Sequence, residues 1–231
     1  MSEIELRHGR WQDVLQDVQA YALICDPPFT ERTHKGQRSG DAHRGGMQEE
    51  SAIHYDPIDA DVVQEFVEHW TAPGKIERWF CIFSDHDGIR LWLDALARAD
   101  LYTFPPVVWT KTNPGPRFTG DGPASACEYI AIGRHRKGMR KSEKRSRVGF
   151  YNGPIATERV VTGGKPDWLM RALVRDYSER GASIVDPFAG GATTLICAAV
   201  EGRTAIGSEM NRETFETAQK RINRGFTPTF F

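Results

Sequence analysis

The feature that constrains the fold most is a strand–turn–helix–strand unit near the end of the chain. An apolar run at 182–185 predicts a strand, and the turn that follows, 186–191, is rich in glycine and small residues. A small-residue helix and a second strand at 204–207 come next, and that strand ends at Glu209. This order is typical of a nucleotide-binding βαβ unit, in which glycines let the backbone approach a ligand and the terminal acid binds ribose hydroxyls. We therefore expect an α/β fold.

The residues of this turn differ from the common phosphate-binding loops. The turn lacks the Lys-Ser/Thr ending of a P-loop, and Gly190-Gly191-Ala192 breaks the GxGxxG spacing. Asp186, at the strand end, would repel a diphosphate but would suit a cationic group. The turn therefore favours a nucleoside that carries a positive charge. The alternative is a purely structural turn in which Glu209 is simply exposed.

A second motif, Asp26-Pro27-Pro28-Phe29, directly follows a predicted buried strand. The prolines end that strand, because neither can donate a hydrogen bond to a neighbouring strand. They leave a carboxylate and an aromatic ring at the carboxyl end of the strand, where open α/β sheets bind ligands. Taken alone, the motif also fits an ordinary Pro-Pro turn. If residues 26 and 186 lie at one edge of one sheet, the two motifs form a single site.

Hydrophobic periodicity predicts the remaining elements. Residues 30–56 have almost no such periodicity, and we interpret them as either an active-site lid or a surface loop. Strands 107–109 and 128–132 could form an antiparallel hairpin with a long connection. The other predicted strands are 4–6 and 79–83, and the predicted helices are 11–19, 59–70, 89–98, 168–177 and 212–222.

A basic segment lies between the two motifs. The net charge of −1 predicts no polyanionic partner, but eight of the 30 Lys and Arg residues fall within residues 134–147. Such a density is typical either of a solvated loop or of a surface that contacts phosphates. Phe150 and Tyr151 follow directly and could stack or wedge. The candidate nucleic-acid-binding residues are Arg134, Arg136, Lys137, Arg140, Lys141, Lys144, Arg145 and Arg147.

Composition limits the class of protein further. The four cysteines are far apart in the sequence, which predicts neither a disulfide framework nor a metal site and fits a reducing cytoplasm. No apolar run reaches the length of a membrane span, and the first ten residues do not resemble a signal peptide. A chain of 231 residues suits one α/β domain.

The two motifs together resemble those of amino-group DNA methyltransferases. The 186–191 turn, with Thr193-Thr194 and Glu209, is similar to their S-adenosylmethionine-binding motif. Asp26-Pro27-Pro28-Phe29 is similar to their catalytic Asp/Asn/Ser-Pro-Pro-aromatic motif, and Lys165-Pro166 matches the Lys-Pro before the helix that leads into the cofactor strand. Because the catalytic motif comes first, the order resembles the beta class.

This resemblance implies a Rossmann-like, mostly parallel sheet of the S-adenosylmethionine-dependent methyltransferase type, circularly permuted, with a short basic insert. One domain, 1–231, would comprise a catalytic half at 1–133, a DNA-contacting insert at about 134–160 and a cofactor-binding half at 161–231. It implies no metal and no membrane, and allows a homodimer, since relatives in this class often pair. The implied catalytic residues are Asp26, Pro27 and Phe29, and the implied cofactor-binding residues are Lys165, Asp186, Phe188, Ala189, Gly190, Gly191, Thr193 and Glu209.

The implied reaction is methyl transfer from S-adenosylmethionine to the exocyclic amine of a flipped DNA base. Asp26 at the first motif position resembles the adenine-N6 enzymes more than the Ser-Pro-Pro cytosine-N4 enzymes. The alternatives are a cytosine-N4 DNA methyltransferase, a methyltransferase that acts on RNA or on a protein amide, and a non-catalytic DNA-binding module.

Three positions differ from the family pattern. Gly191-Ala192 stands where the family usually has Ser-Gly, and Gly9-Arg10 where it often has Gly-Asp near the adenine of the cofactor. Phe29 stands where tyrosine is commoner, which keeps the stacking face but removes the hydroxyl.

Overall fold

The structure is a computed structural model that describes residues 3–29, 59–115, 122–136, 146–155 and 164–225. The strands of this part of the chain are β1 (Ile4–His8), β2 (Ala20–Cys25), β3 (Ile76–Ser84), β4 (Leu101–Thr103), β5 (Val107–Lys111), β6 (Cys127–His135), β7 (Phe150–Gly153), β8 (Ser183–Asp186) and β9 (Thr204–Glu209). The helices are α1 (Trp11–Val14), α2 (Ala60–Thr71), α3 (Ile89–Arg98), α4 (Asp167–Tyr177), α5 (Thr193–Val200) and α6 (Arg212–Asn223).

All of these strands belong to one sheet, in the order β1-β9-β8-β2-β3-β6-β5-β7, and β4 pairs with β6. Strands β1, β9, β8, β2 and β3 are parallel to one another, and β5 is parallel to β7. Strand β6 is antiparallel to β3, β4 and β5, so within the described residues it alone runs against the rest. The carboxyl ends of the other strands therefore meet at one edge, which we call the carboxyl edge.

Helices cover both faces of the sheet, and alternate residues of β2 show this division. Ala22 and Ile24 belong to a core with α4, α5 and α6, whereas Leu23 and Cys25 belong to a second core with α1, α2 and α3. This two-sided burial explains why the central strands have continuous apolar sequences. The predicted α/β architecture with a mostly parallel sheet is confirmed.

Helix α2 shows how local sequence sets an element. The Asp59 side chain accepts hydrogen bonds from the backbone N–H groups of Asp61 and Val62, and so caps the first turn. Val63, Phe66, Val67 and Trp70 then lie on one face at helical spacing and are buried. None of the described helices has the length and apolarity that a membrane span needs.

Some predicted elements were wrong in extent. The helix expected at 11–19 stops at Val14, because the chain must turn to enter β2 at Ala20. Leu15 and Val18 are nevertheless buried, so the apolar spacing correctly indicated buried positions but not a helix. The predicted hairpin is confirmed, with Val107 opposite Ile130 and Trp109 opposite Glu128.

Strand β7 was not predicted, and it corrects the interpretation of the aromatic pair at its start. Tyr151 is buried, and its hydroxyl donates to Asp176 Oδ2 at 2.7 Å, so it packs in the core and cannot wedge into DNA. Phe150 is 64% exposed. The strand is only four residues long and pairs with β5, about forty residues earlier, so local sequence carries little signal of it.

Candidate active site

The two sequence motifs meet at the carboxyl edge. Strands β2 and β8 are parallel neighbours, with Leu23 opposite Val185. Asp186 ends β8, and Asp26 directly follows the end of β2. The prediction that positions 26 and 186 lie at one edge of one sheet is therefore confirmed.

The 186–191 turn is anchored by the Asp186 carboxylate, which accepts a hydrogen bond from the Phe188 backbone N–H at 3.0 Å. The turn then reverses through Gly190 and Ala192, at φ values of 50° and 63°. Both are in the left-handed region, which favours glycine. Ala192 therefore occupies a position where the family's usual glycine would adopt this backbone without strain.

Glu209 ties the end of β9 to this turn. One of its carboxylate oxygens accepts from Gly190 N at 3.1 Å, and the other accepts from Asn211 N at 2.7 Å. The two strands approach closely at Gly207, where an added Cβ would lie 2.6 Å from the backbone oxygen of Asp186. The chain therefore presents two carboxylates, Asp186 and Glu209, on adjacent strand ends.

Other predicted cofactor-binding residues shape the same turn. Ala189 is buried, and its N–H donates to Ser208 O at 2.9 Å. The Phe188 ring stacks on Phe66 at 5.5 Å between centroids. Arg221 donates to Gly191 O at 2.9 Å and to Thr193 Oγ1 at 2.8 Å, and so links α6 to the start of α5.

Burial raises the pKa of three carboxylates at the carboxyl edge. Burial raises the pKa of Asp186 to about 7, although hydrogen bonds from Thr194 and Phe188 oppose the shift. Burial also raises the pKa of Asp26, to about 6, against the opposing Lys165 charge. The pKa of Glu209 is raised by burial as well, and backbone hydrogen bonds partly offset this. Because burial disfavours the charged form of Asp186 and Glu209, a cationic ligand beside these two carboxylates would be stabilised.

Asp26 has one engaged and one available oxygen. Its Oδ2 accepts from the Lys165 ammonium at 2.5 Å. Its Oδ1 is buried and accepts no hydrogen bond from the described residues. Because a buried carboxylate oxygen without a donor is costly, a ligand N–H at this position would bind favourably. Pro27 is buried, and the Phe29 ring lies 5.1 Å from the Lys165 ammonium.

Lys165 was predicted from its motif to bind the cofactor, and the structure places its ammonium on the catalytic motif. Besides Asp26, it lies 3.3 Å from Glu128 Oε2, and Glu128 Oε1 contacts Lys111 Nζ at 2.9 Å. Sequence reasoning did not assign Glu128 or Lys111 to the site. The predicted hairpin contained a partial signal. Glu128 begins one of its strands, opposite Trp109, and Lys111 lies two residues beyond the predicted end of the other.

The described DNA-binding candidates lie away from Asp26. Arg134 is opposite Trp79 in the sheet, whereas the carboxyl end of β3 is Ser84. The Arg147 guanidinium lies 4.4 Å from the Trp79 ring, and its Nε donates to Asp176 O at 2.7 Å. Arg136 pairs with Asp100 at 2.9 Å. These three residues therefore lie at the edge opposite the carboxyl edge, which we call the amino edge.

The rest of the basic segment and the predicted lid lie outside the described residues. This applies to residues 30–56 and to Lys137, Arg140, Lys141, Lys144 and Arg145. Their DNA contact stays a prediction. Among the residues that the structure does describe, no group of three or more His, Cys, Asp or Glu side chains could hold a metal ion.

Comparison with known proteins identifies related sequences. Residues 22–220 match the family N6_N4_Mtase, described as DNA methylase. The Type II methyltransferase M2.LlaDCHI of Lactococcus lactis subsp. cremoris is 28% identical over 145 residues, which are 52% of this chain and 51% of that protein. The chain spans about half the length of the first curated relatives that it matches.

Solved structures share the fold. The crystal structure of the M1.HpyAVI–SAM complex has a TM-score of 0.69 and 20% identity, and covers 95% of this chain and 99% of its own. PvuII DNA methyltransferase (cytosine-N4-specific) has a TM-score of 0.67 and 12% identity, and covers 96% of this chain and 86% of its own. The expected methyltransferase-type sheet is confirmed. The circular permutation, the basic insert and the division into halves stay predictions.

Proposed function

Since this chain belongs to the DNA methylase family, we propose that it transfers a methyl group from S-adenosylmethionine to the exocyclic amine of a DNA base. The observation that carries the proposal is the Asp26 carboxylate at the carboxyl edge. One of its oxygens is buried and accepts no hydrogen bond from the described residues, and it lies at the same edge as the Asp186 turn. The hydrogen-bond acceptor for the amine and the turn that would hold the methyl donor are thus neighbours.

The residues at this edge fit S-adenosylmethionine by their chemistry. Asp186 supplies a buried carboxylate whose charge would suit a cationic ligand, and Glu209 stands at a strand end where ribose hydroxyls bind in related sheets. Residues 188–193 would surround it. When bound, the cofactor would supply a methyl group on a positively charged sulfur; the electron pair of the broken carbon–sulfur bond would stay with sulfur, and the amine nitrogen that gains the methyl would release one proton.

The protein's own contribution to the reaction is positioning. An exocyclic amine is a poor nucleophile, because its lone pair is delocalised into the ring. Asp26 Oδ1 would accept one amine hydrogen and the Pro27 carbonyl another, and these bonds favour a pyramidal nitrogen whose lone pair faces the methyl donor. Positioning of this kind can supply several kcal/mol of the barrier reduction, of order 7–11 kcal/mol in the best intramolecular cases.

The base must leave the duplex to reach this edge. Phe29 would then stack on the extruded base, with a contribution of about 1–3 kcal/mol. We favour adenine N6 as the target, since the motif begins with aspartate. Cytosine N4 is the alternative within the same family, and a cytosine-N4-specific enzyme shares this fold. The DNA substrate is also the reason for expecting the protein in the cytoplasm.

Incubation with methyl-labelled S-adenosylmethionine and unmethylated DNA, followed by digestion to nucleosides, tests the proposal. The expected product is N6-methyldeoxyadenosine. Labelled N4-methyldeoxycytidine would retain the reaction and change the base. Parallel incubations offer RNA and protein in place of DNA. Label that enters RNA or protein and not DNA would overturn the proposed substrate, and a folded protein that labels none of them would overturn the activity.

A further inference from the structure

Asp26 belongs to a largely buried group of four charged side chains, which we call the Asp26 cluster: Asp26, Lys165, Glu128 and Lys111. The contacts run in a chain, from Asp26 to Lys165 at 2.5 Å, from Lys165 to Glu128 at 3.3 Å, and from Glu128 to Lys111 at 2.9 Å. Lys165 is only 7% exposed, and Glu128 and Lys111 are each 14% exposed. The signs alternate, so the formal charges of the four groups sum to zero.

Stability alone does not require such a cluster. Removing four charges from water is expensive, and well-packed apolar side chains often stabilise a protein as much or more. The four residues also come from four separate segments: the turn directly after β2, the segment just before α4, strand β6 and strand β5. A chain that folds in this way holds Lys165 from two sides, by Asp26 and by Glu128. Each carboxylate alone would leave the flexible lysine stem freer to move.

Lys165 contacts both side chains of the catalytic motif. Its ammonium is on Asp26 Oδ2, and it lies 5.1 Å from the Phe29 ring and 5.1 Å from the Phe83 ring. We propose that Lys165, fixed by Glu128 and Lys111, is a positioning residue that holds Asp26 by one oxygen, leaves the other for the substrate amine, and places the Phe29 face. This inference rests on the proposed function, which supplies the substrate amine.

The charges that face Asp26 predict how the cluster sets its ionisation. Burial raises the pKa of Asp26. The charges of Lys165 and Lys111 lower that pKa, and the charge of Glu128 raises it. Asp186 on β8 and the buried thiol of Cys25 are also close enough to interact. Burial alone would raise the pKa of Glu128, but Lys165 and Lys111 hold it below its usual value. Lys165 therefore favours the ionised form of the Asp26 carboxylate, whereas Glu128 disfavours it.

Two substitutions should move the ionisation of Asp26 in opposite directions. Glu128→Gln removes a like charge and should lower the Asp26 midpoint by about one pH unit, whereas Lys165→Met removes the paired cation and should raise it by about one unit or more. Lys165→Arg keeps the cation and should leave the midpoint near its wild-type value. Glu216→Gln makes the same chemical change in an exposed ion pair with Arg212 and serves as the matched control.

The midpoint can be read without catalysis, from the ¹³Cγ resonance of Asp26 in the full chain labelled at aspartate. The resonance is assigned by its loss in Asp26→Asn. A downward shift in Glu128→Gln and an upward shift in Lys165→Met, with no shift in the control, are the expected results. Unmoved midpoints in folded Glu128→Gln would overturn the inference, and this isosteric variant decides the matter if Lys165→Met does not fold.

Kinetics then separate this inference from the proposed function. In wild-type protein the acid limb of kcat should follow Asp26, and it should move to lower pH in Glu128→Gln. At the optimum, kcat in Glu128→Gln should fall about tenfold while S-adenosylmethionine binding stays within twofold. A drop in binding that matches the drop in kcat would contradict a positioning role. Folded wild-type protein that methylates nothing would overturn the proposed function, while the titration still tests the cluster.

Discussion

At the carboxyl edge, the charged side chains of the Asp26 cluster are between 7% and 27% exposed and contact one another. At the amino edge, Arg136 and its partner Asp100 are 54% and 89% exposed, and Arg134 and Arg147 lie over aromatic rings. A buried charge changes its ionisation when a neighbour changes, whereas an exposed one is screened by water. Substitutions at the carboxyl edge should therefore alter methyl transfer, and those at the amino edge should alter stability or long-range attraction to DNA.

Asp26→Ala should have the largest effect. The variant loses both carboxylate oxygens, including the acceptor for the amine hydrogen, so methyl transfer should fall at least about a hundredfold. S-adenosylmethionine binding, measured by calorimetry, should stay within a few-fold of wild type, because the substitution leaves the Asp186 turn intact. Transfer rates close to wild type would remove Asp26 from the mechanism.

Neutralising part of the basic segment should show whether it contacts DNA. The variant with Lys137, Arg140 and Lys141 all changed to glutamine should bind DNA with a weaker salt dependence, since each lost phosphate contact lowers the log–log slope by about 0.9. Affinity measured across a salt series checks this, and the exposed substitution Lys220→Gln is a suitable control. An unchanged slope would show that these three residues do not contact phosphates and that any DNA contact comes from other parts of the chain.

Asp186→Asn should stabilise the ligand-free protein at alkaline pH. Burial raises the pKa of Asp186 from 3.8 to about 7, so its contribution to stability is greatest below pH 3.8 and is lost as the pH rises through about 7. The neutral amide avoids that loss and can still accept from Phe188 N. The free energy of unfolding should rise by about 1–3 kcal/mol at pH 8 and by much less at pH 4.

A gain for Asp186→Asn that is equal at both pH values would show that burial of the charge is not the cause. The same variant should bind S-adenosylmethionine more weakly, because it removes a negative charge from a site for a cation.

Arg147→Ala should have the smallest effect, and only on stability. The variant loses the contact with the Trp79 ring and the hydrogen bond to Asp176 O, so the free energy of unfolding should fall by about 1–2 kcal/mol. Denaturant titration measures this, with Arg136→Ala as a neighbour whose exposed ion pair should cost under about 1 kcal/mol. The kcat of the folded variant should equal that of wild type. A lower kcat would mean that Arg147 at the amino edge affects the active site at the carboxyl edge.

The sequence was sufficient where short-range signals were strong. Apolar runs followed by Asp26-Pro27-Pro28 and by the glycine turn at 186 predicted two strand ends, and both lie at the same edge. The family resemblance is confirmed by a match that covers residues 22–220. Helices α2, α3 and α6 were close to their predicted bounds, because each has a clear apolar face and two have capping side chains.

The sequence was insufficient where partners are distant. Lys165 follows a family motif, but its contact with Asp26 joins residues 139 apart, and no local pattern indicates it. Strand β7 is recognisable only through its pairing with β5. Glu128 begins one strand of the predicted hairpin, yet nothing in the local sequence indicates that it pairs with both Lys111 and Lys165.

A crystal structure with bound S-adenosylhomocysteine tests the central claim most directly, namely that the Asp26 motif and the Asp186 turn form one methyl-transfer site. The account predicts that the ribose hydroxyls contact Glu209 and that the sulfur faces Asp26 and Phe29. A ligand bound elsewhere, or one whose sulfur points away from Asp26, would contradict it.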